Sequence, residues 1–140
     1  MNIDYTKKTF TQDEKNIMYA ETERLRETRP NHIPILIQLN SNVLSIDKYK
    51  ILTNIDLNIQ EVINNTLKKK LINLQPTDNL IISIIKLSGK EKEKIFQETK
   101  NIPIKEFYDN NKDPETNFLI LKVTRQTTYK WLKSIASYLF

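Results

Sequence analysis

Apolar positions along this chain fall into short blocks whose spacing switches between helical and alternating. Thr11 followed three residues later by Glu14 has the form of a capping box and predicts a polar helix over residues 12–28. Ile17, Glu21 and Leu25 recur at the i, i+4 interval with Met18 beside them, so a thinly apolar face is expected to lie on a sheet. Pro30 disfavours helical backbone at Arg29 and ends the element there. The run Ile33-Pro34-Ile35-Leu36-Ile37-Gln38 predicts a strand buried on one or both faces. Pro34 has no N–H to give to a ladder, which places it at a strand start or edge. Residues 48–53, Lys-Tyr-Lys-Ile-Leu-Thr, alternate charge and bulk as a half-exposed strand does.

Asn58 and Glu61 repeat the capping pattern, and Val62, Ile63, Leu67 and Leu71 then mark a helix of about fourteen residues with a core-facing stripe. Residues 80–85, Leu-Ile-Ile-Ser-Ile-Ile, are the most β-prone segment and predict a central strand. Ser88-Gly89 turns the chain into the charge alternation Lys90-Glu91-Lys92-Glu93-Lys94. The stretch 89–100 is therefore expected to be a solvated excursion, as loop or short exposed helix. Residues 104–108 predict a helical turn, Asp113-Pro114 a turn, and 118–123 a final strand. The order gives an α+β fold with one four-stranded sheet and its helices to one side.

Composition narrows the function classes. With 140 residues the chain is long enough for one independently folded domain. The absence of cysteine excludes disulfides, zinc–thiolate sites and thiol nucleophiles. A single glycine, Gly89, cannot build a phosphate-cradling loop, so a P-loop or Rossmann site is excluded and no cofactor is expected. The start lacks the apolar core of a signal peptide and no run reaches the length of a membrane span, which points to a cytoplasmic protein. The net charge of +5 is uneven: residues 1–30 carry six basic and six acidic side chains, whereas 117–140 carry Lys122, Arg125, Lys130 and Lys133 and no acid. His32, the only histidine, has no evident orienting partner, and no nucleophile, acid–base pair or metal cluster stands out, so an enzyme is not expected.

Three segments are more specific. The stretch Glu23-Arg24-Leu25-Arg26-Glu27-Thr28-Arg29-Pro30-Asn31-His32-Ile33-Pro34-Ile35-Leu36-Ile37 resembles the helix-to-strand junction of the GABARAP and light-chain-three autophagy modifiers, with its Pro-x-x-x-Pro spacing. Lys48-x-Lys50-x-Leu52 followed by Asp56-Leu57-Asn58-Ile59 resembles that family's second strand and next helix. Phe118-Leu119-Ile120 and Tyr129 are similar to its last strand and the aromatic before its terminal glycine. The resemblance covers roughly residues 12–130 and implies a ubiquitin-like β-grasp core over 31–127 with an insertion at 89–100. An N-terminal helical extension, 1–30, precedes that core and an amphipathic tail, 128–140, follows it.

The resemblance also implies a non-enzymatic adaptor that adds an aromatic-x-x-aliphatic (LIR-type) peptide as a strand along the edge of residues 48–53. By position, Glu21, Leu25, Pro34, Leu52 and Phe118 would surround the aromatic, and Lys48 and Lys50 would meet acidic flanking residues. Ile51, Leu57, Val62 and the stem of Lys70 would form the aliphatic pocket, although Thr53, Asn54 and Asn65 make it more polar than the family's. Read without the resemblance, Leu25, Pro34, Leu52, Val62 and Phe118 are equally plain core, and the lysines a solvated edge. Where the family carries its conjugated glycine this chain has Lys130, so glycine-dependent lipidation is not supported.

Rival functions are a peripheral membrane module and a weak nucleic-acid binder. In the tail, Lys130, Trp131, Leu132, Ile135 and Leu139 fall at amphipathic helical spacing, suited to an anionic membrane surface such as an autophagosomal one or to packing on the domain. Few aromatics lie among the lysines, so a base-stacking platform is not evident and nucleic acid is the weaker partner class.

Overall fold

The computed structural model describes residues 3–7, 9–41, 47–69, 79–89 and 91–126. Lys70, Leu71 and the whole tail, with Lys130, Trp131, Leu132, Ile135 and Leu139, lie outside them, as does the side chain of Lys48. Helix α1 (Gln12–Thr28) starts at a complete capping box: Glu14 N–H donates to the Thr11 hydroxyl at 3.1 Å and Thr11 N–H to the Glu14 carboxylate at 2.9 Å. Strands β1 (His32–Ser41) and β2 (Asp47–Asn54) form an antiparallel pair. Helix α2 (Ile59–Lys69) opens with the reciprocal Asn58–Glu61 bonds at 3.2 and 2.9 Å. Then come β3 (Asn79–Ile85), β4 (Glu91–Ile95), α3 (Phe96–Thr99), α4 (Ile104–Asn111) and β5 (Leu119–Gln126).

The sheet order is β2-β1-β5-β3-β4, with β1 and β5 parallel and the other neighbours antiparallel. It is the mixed sheet of an α+β, ubiquitin-like fold with an N-terminal helix. Among the described residues it has five strands rather than the four expected from sequence. The fifth is β4, inside the stretch read as a solvated excursion. Its register against β3, from Ile81↔Ile95 to Ile85↔Glu91, gives the charged chain a ladder to complete. Gly89, with φ of 106° and its N–H on the Lys86 carbonyl at 2.9 Å, makes the turn between them in a conformation other residues avoid.

Alternation along β1 and β5 splits the core in two. Ile33, Ile35, Ile37, Leu39, Leu119, Leu121 and Val123 face α2 and α4 through Ile59, Val62, Ile63, Ile104 and Phe107. Leu36, Phe118 and Ile120 face the other way and meet Met18 of α1 and Phe10. The helices therefore cover both faces of the sheet rather than one side. A double-sided burial demand explains why β1 and β5 read as nearly continuous aliphatic runs.

A buried polar turn fixes the start of β5. Asp113 accepts from Leu87 N–H at 3.0 Å and from the backbone and hydroxyl of Thr116 at 3.1 and 2.8 Å. Asn117 takes φ of 61°, a left-handed conformation that asparagine tolerates, and the buried Tyr108 hydroxyl donates to its carbonyl at 2.6 Å. Phe118 follows at once and is pointed at α1.

Candidate functional site

In the described sheet β2 has one neighbour, β1, so its other edge keeps a row of backbone donors and acceptors free of ladder partners. Side chains along that strand go alternately to the two faces. Ile51 and Thr53, opposite Ile35 and Ile33, lie on the α2 side; Lys50 and Leu52, opposite Leu36 and Pro34, lie on the α1 side.

On the α2 side the strand walls a groove of about 310 Å³, lined by Ile51, Leu52, Thr53, Asn54, Leu57, Val62, Asn65 and Thr66. Three of the four residues assigned to an aliphatic pocket, Ile51, Leu57 and Val62, meet there with the three polar neighbours expected to dilute it. The fourth, Lys70, is outside the described residues. Leu52 is 37% exposed at the rim, which an apolar residue tolerates at a contact surface more readily than in a core.

On the α1 side, Glu21, Lys50 and Phe118 come together around an aromatic that sequence reading did not single out, Tyr5. Lys50 Nζ sits 2.5 Å from the Glu21 carboxylate and 4.7 Å from the centre of the Tyr5 ring. The Tyr5 ring meets the fully buried Phe118 ring edge-on, with centroids 5.7 Å apart and planes at 66°. The Tyr5 hydroxyl donates to the second Glu21 oxygen. Burial pushes the Tyr5 phenol well above its usual range, and the Glu21 carboxylate adds to the rise. Burial alone would raise Glu21 too, but hydrogen bonds from Lys50 and Tyr5 outweigh it and hold the carboxyl below its ordinary value. The signal that could have found Tyr5 was weak: two apolar positions, Ile3 and Tyr5, in a polar lead-in.

Two assigned residues go elsewhere. Pro34 is buried and lines a different concavity of about 150 Å³, with Arg26, Pro30, His32, Tyr108 and Asp109 among its walls. Leu25 is half-buried on α1 and lines neither concavity. Among the described residues no group of three or more His, Cys, Asp or Glu could hold a metal ion, and no helix is long and apolar enough to cross a membrane.

Sheet order, helix placement and the open β2 edge define the class: a ubiquitin-like α+β domain. Neither a protein-family model nor a curated protein matches the sequence. Among solved structures, the crystal structure of Trypanosoma brucei ATG8 is similar to it, with a TM-score of 0.63 and 18% identity over 90% of this chain and 97% of that one. At that identity the likeness defines an ATG8-like fold.

Proposed function

We propose that this protein is a non-enzymatic, autophagy-related adaptor that captures short aromatic-x-x-aliphatic peptides by strand addition along β2. The observation that carries the reading is the open β2 edge with a seat on each face: a groove of about 310 Å³ toward α2, and the Glu21–Lys50–Phe118 cluster toward α1. A peptide strand laid on that edge gains backbone hydrogen bonds and drops alternate side chains to the two sides. Leu52 lines the rim of the groove, and strand alternation turns its side chain toward the α1 side. Lys50 on β2, with Lys48 two positions before it, favours peptides with acidic flanks by steering their approach.

The test is a titration of the full chain with an acidic peptide carrying Trp and, three residues later, Leu. Amide shifts concentrated on residues 48–54 support the reading, and shifts spread evenly over the surface refute it. Charge reversal at Lys48 and Lys50 is expected to weaken binding and flatten its salt dependence. Anionic vesicles and RNA in parallel co-sedimentations separate this function from the membrane and nucleic-acid alternatives.

A further inference from the structure

We infer that Tyr5 is a resident ligand of this site: the N-terminal segment holds its ring in the seat an incoming peptide's aromatic must take, and the adaptor is self-blocked until that ring leaves. The inference rests on the peptide-binding reading and adds a regulatory step to it. Its basis is the chemistry around Tyr5. A cation over the ring face, an aromatic edge and a carboxylate acceptor together recognise an aromatic side chain that has a donor at its tip. These three groups come from β2, from the residue preceding β5, and from α1, and Tyr5 belongs to none of those elements.

The segment is fastened in a way that permits exchange. Its Lys7 N–H donates to the Asp4 carbonyl at 3.4 Å, inside the segment. Side-chain contacts join it to the domain, among them Ile3 and Tyr5 against the α1-side cluster, Tyr5 on Glu21, and Lys7 on Glu14 at 2.6 Å. Three positions after Tyr5 stands Lys8, not an aliphatic residue. By sequence the segment therefore offers an aromatic but no aliphatic residue three positions on. A peptide with both anchors, and a strand to pair with β2, holds more contacts than the segment it displaces.

Self-blocking lowers apparent affinity by the fraction of molecules in the open state. Affinity for the Trp-x-x-Leu peptide is measured for the wild-type chain, Tyr5→Ala and Tyr5→Phe, alongside ring-to-ring NOEs between Tyr5 and Phe118 with and without peptide. The expected result is a Tyr5–Phe118 NOE in the free protein that disappears on binding. Tyr5→Ala should bind at least about threefold more tightly, with Tyr5→Phe between it and wild type because the ring stays and the bond to Glu21 goes. Equal or weaker binding by Tyr5→Ala, an NOE that persists in the complex, or no NOE in the free protein overturns the inference and leaves the peptide-binding reading standing. Binding by none of the three chains refutes the peptide-binding reading and this inference with it.

Discussion

The hydroxyl of Thr22, on the inner face of α1, lies 2.9 Å from the carbonyl oxygen of Thr116, in the turn that launches β5, with both residues fully buried. The same hydroxyl also reaches the Tyr19 carbonyl, one turn back on its own helix, at 2.8 Å. This contact stitches the helix to the residues that aim Phe118. A second tie runs beside it, from the Asn117 side-chain amide to Glu23 at 3.0 Å. The α1-side seat thus depends on a polar joint, since α1 meets the sheet through few large apolar side chains.

Replacing Thr22 by Val keeps the shape and strips the buried Thr116 carbonyl of this donor. Leaving a buried acceptor unpaired costs about 1–3 kcal/mol. Urea unfolding should show that loss as a lower midpoint with an unchanged slope. A midpoint equal to wild type would mean that another donor satisfies the carbonyl.

Phe118 and Leu52 flank the same site but differ in what they support. Sequence reading leaves both open between plain core and walls of the aromatic seat; Leu52 is 37% exposed and Phe118 is fully buried. Phe118→Ala is expected to cost about 3–5 kcal/mol through the cavity it leaves. Leu52→Ala should cost under about 1 kcal/mol and show chiefly as weaker peptide binding. Thermal melts of the two variants check the ordering, and an equal loss of Tm in both would contradict it.

Stability should fall at both ends of the pH scale for identifiable reasons. Glu14, Glu21 and Glu91 all have carboxyls held below the ordinary value of 4.5: Glu14 chiefly by the hydrogen bond from Lys7, Glu91 chiefly by that from Lys122, and Glu21 by bonds from Lys50 and Tyr5 that overcome burial. Such groups contribute stability above their unfolded value, and it is lost as pH drops through the depressed folded one. Tyr5 works the other way: with its phenol raised above 10, its contribution is complete below pH 10 and fades above it. Denaturant midpoints for wild type and Glu21→Gln, measured from pH 3 to 11, should show flatter acid and alkaline limbs in the variant, because one substitution alters both groups. Parallel curves for the two chains would detach both shifts from the Glu21 contacts.

At the far edge of the sheet β4 exposes Glu91, Lys92 and Glu93, and Ile95 is 55% exposed. Charges on an edge strand discourage pairing with another chain's edge. Replacing Lys92 and Lys94 together by Val should leave the melting temperature within a few degrees and increase light scattering on incubation. Scattering indistinguishable from wild type would show that the lysines do not guard this edge.

Helices α1 and α2 were legible in the sequence because their starting signals are local. Thr11 with Glu14, and Asn58 with Glu61, satisfy their own backbone donors within three residues, so no distant partner decides them. The strand character of residues 33–38 and 118–123 was legible for a related reason. β-branched and aliphatic residues at both parities leave no polar face for a surface helix. The groove residues Ile51, Leu57 and Val62 were nominated by position through the family resemblance, not from any local signal of their own. Strand β4 was not legible: its polar residues carry no burial signal, and only the ladder along β3 makes them extended. The placement of α1 on the opposite face was likewise hidden, because Met18, Thr22 and Thr116 meet across most of the chain. The Tyr5 seat is the extreme case. Glu21, Lys50 and Phe118 were nominated only through the family resemblance, Tyr5 was missed, and the four meet only when the N-terminal segment, α1, β2 and the start of β5 converge. Local sequence fixes which backbone hydrogen bonds a segment can satisfy alone, whereas side-chain chemistry gathered from distant segments exists only after the sheet has closed.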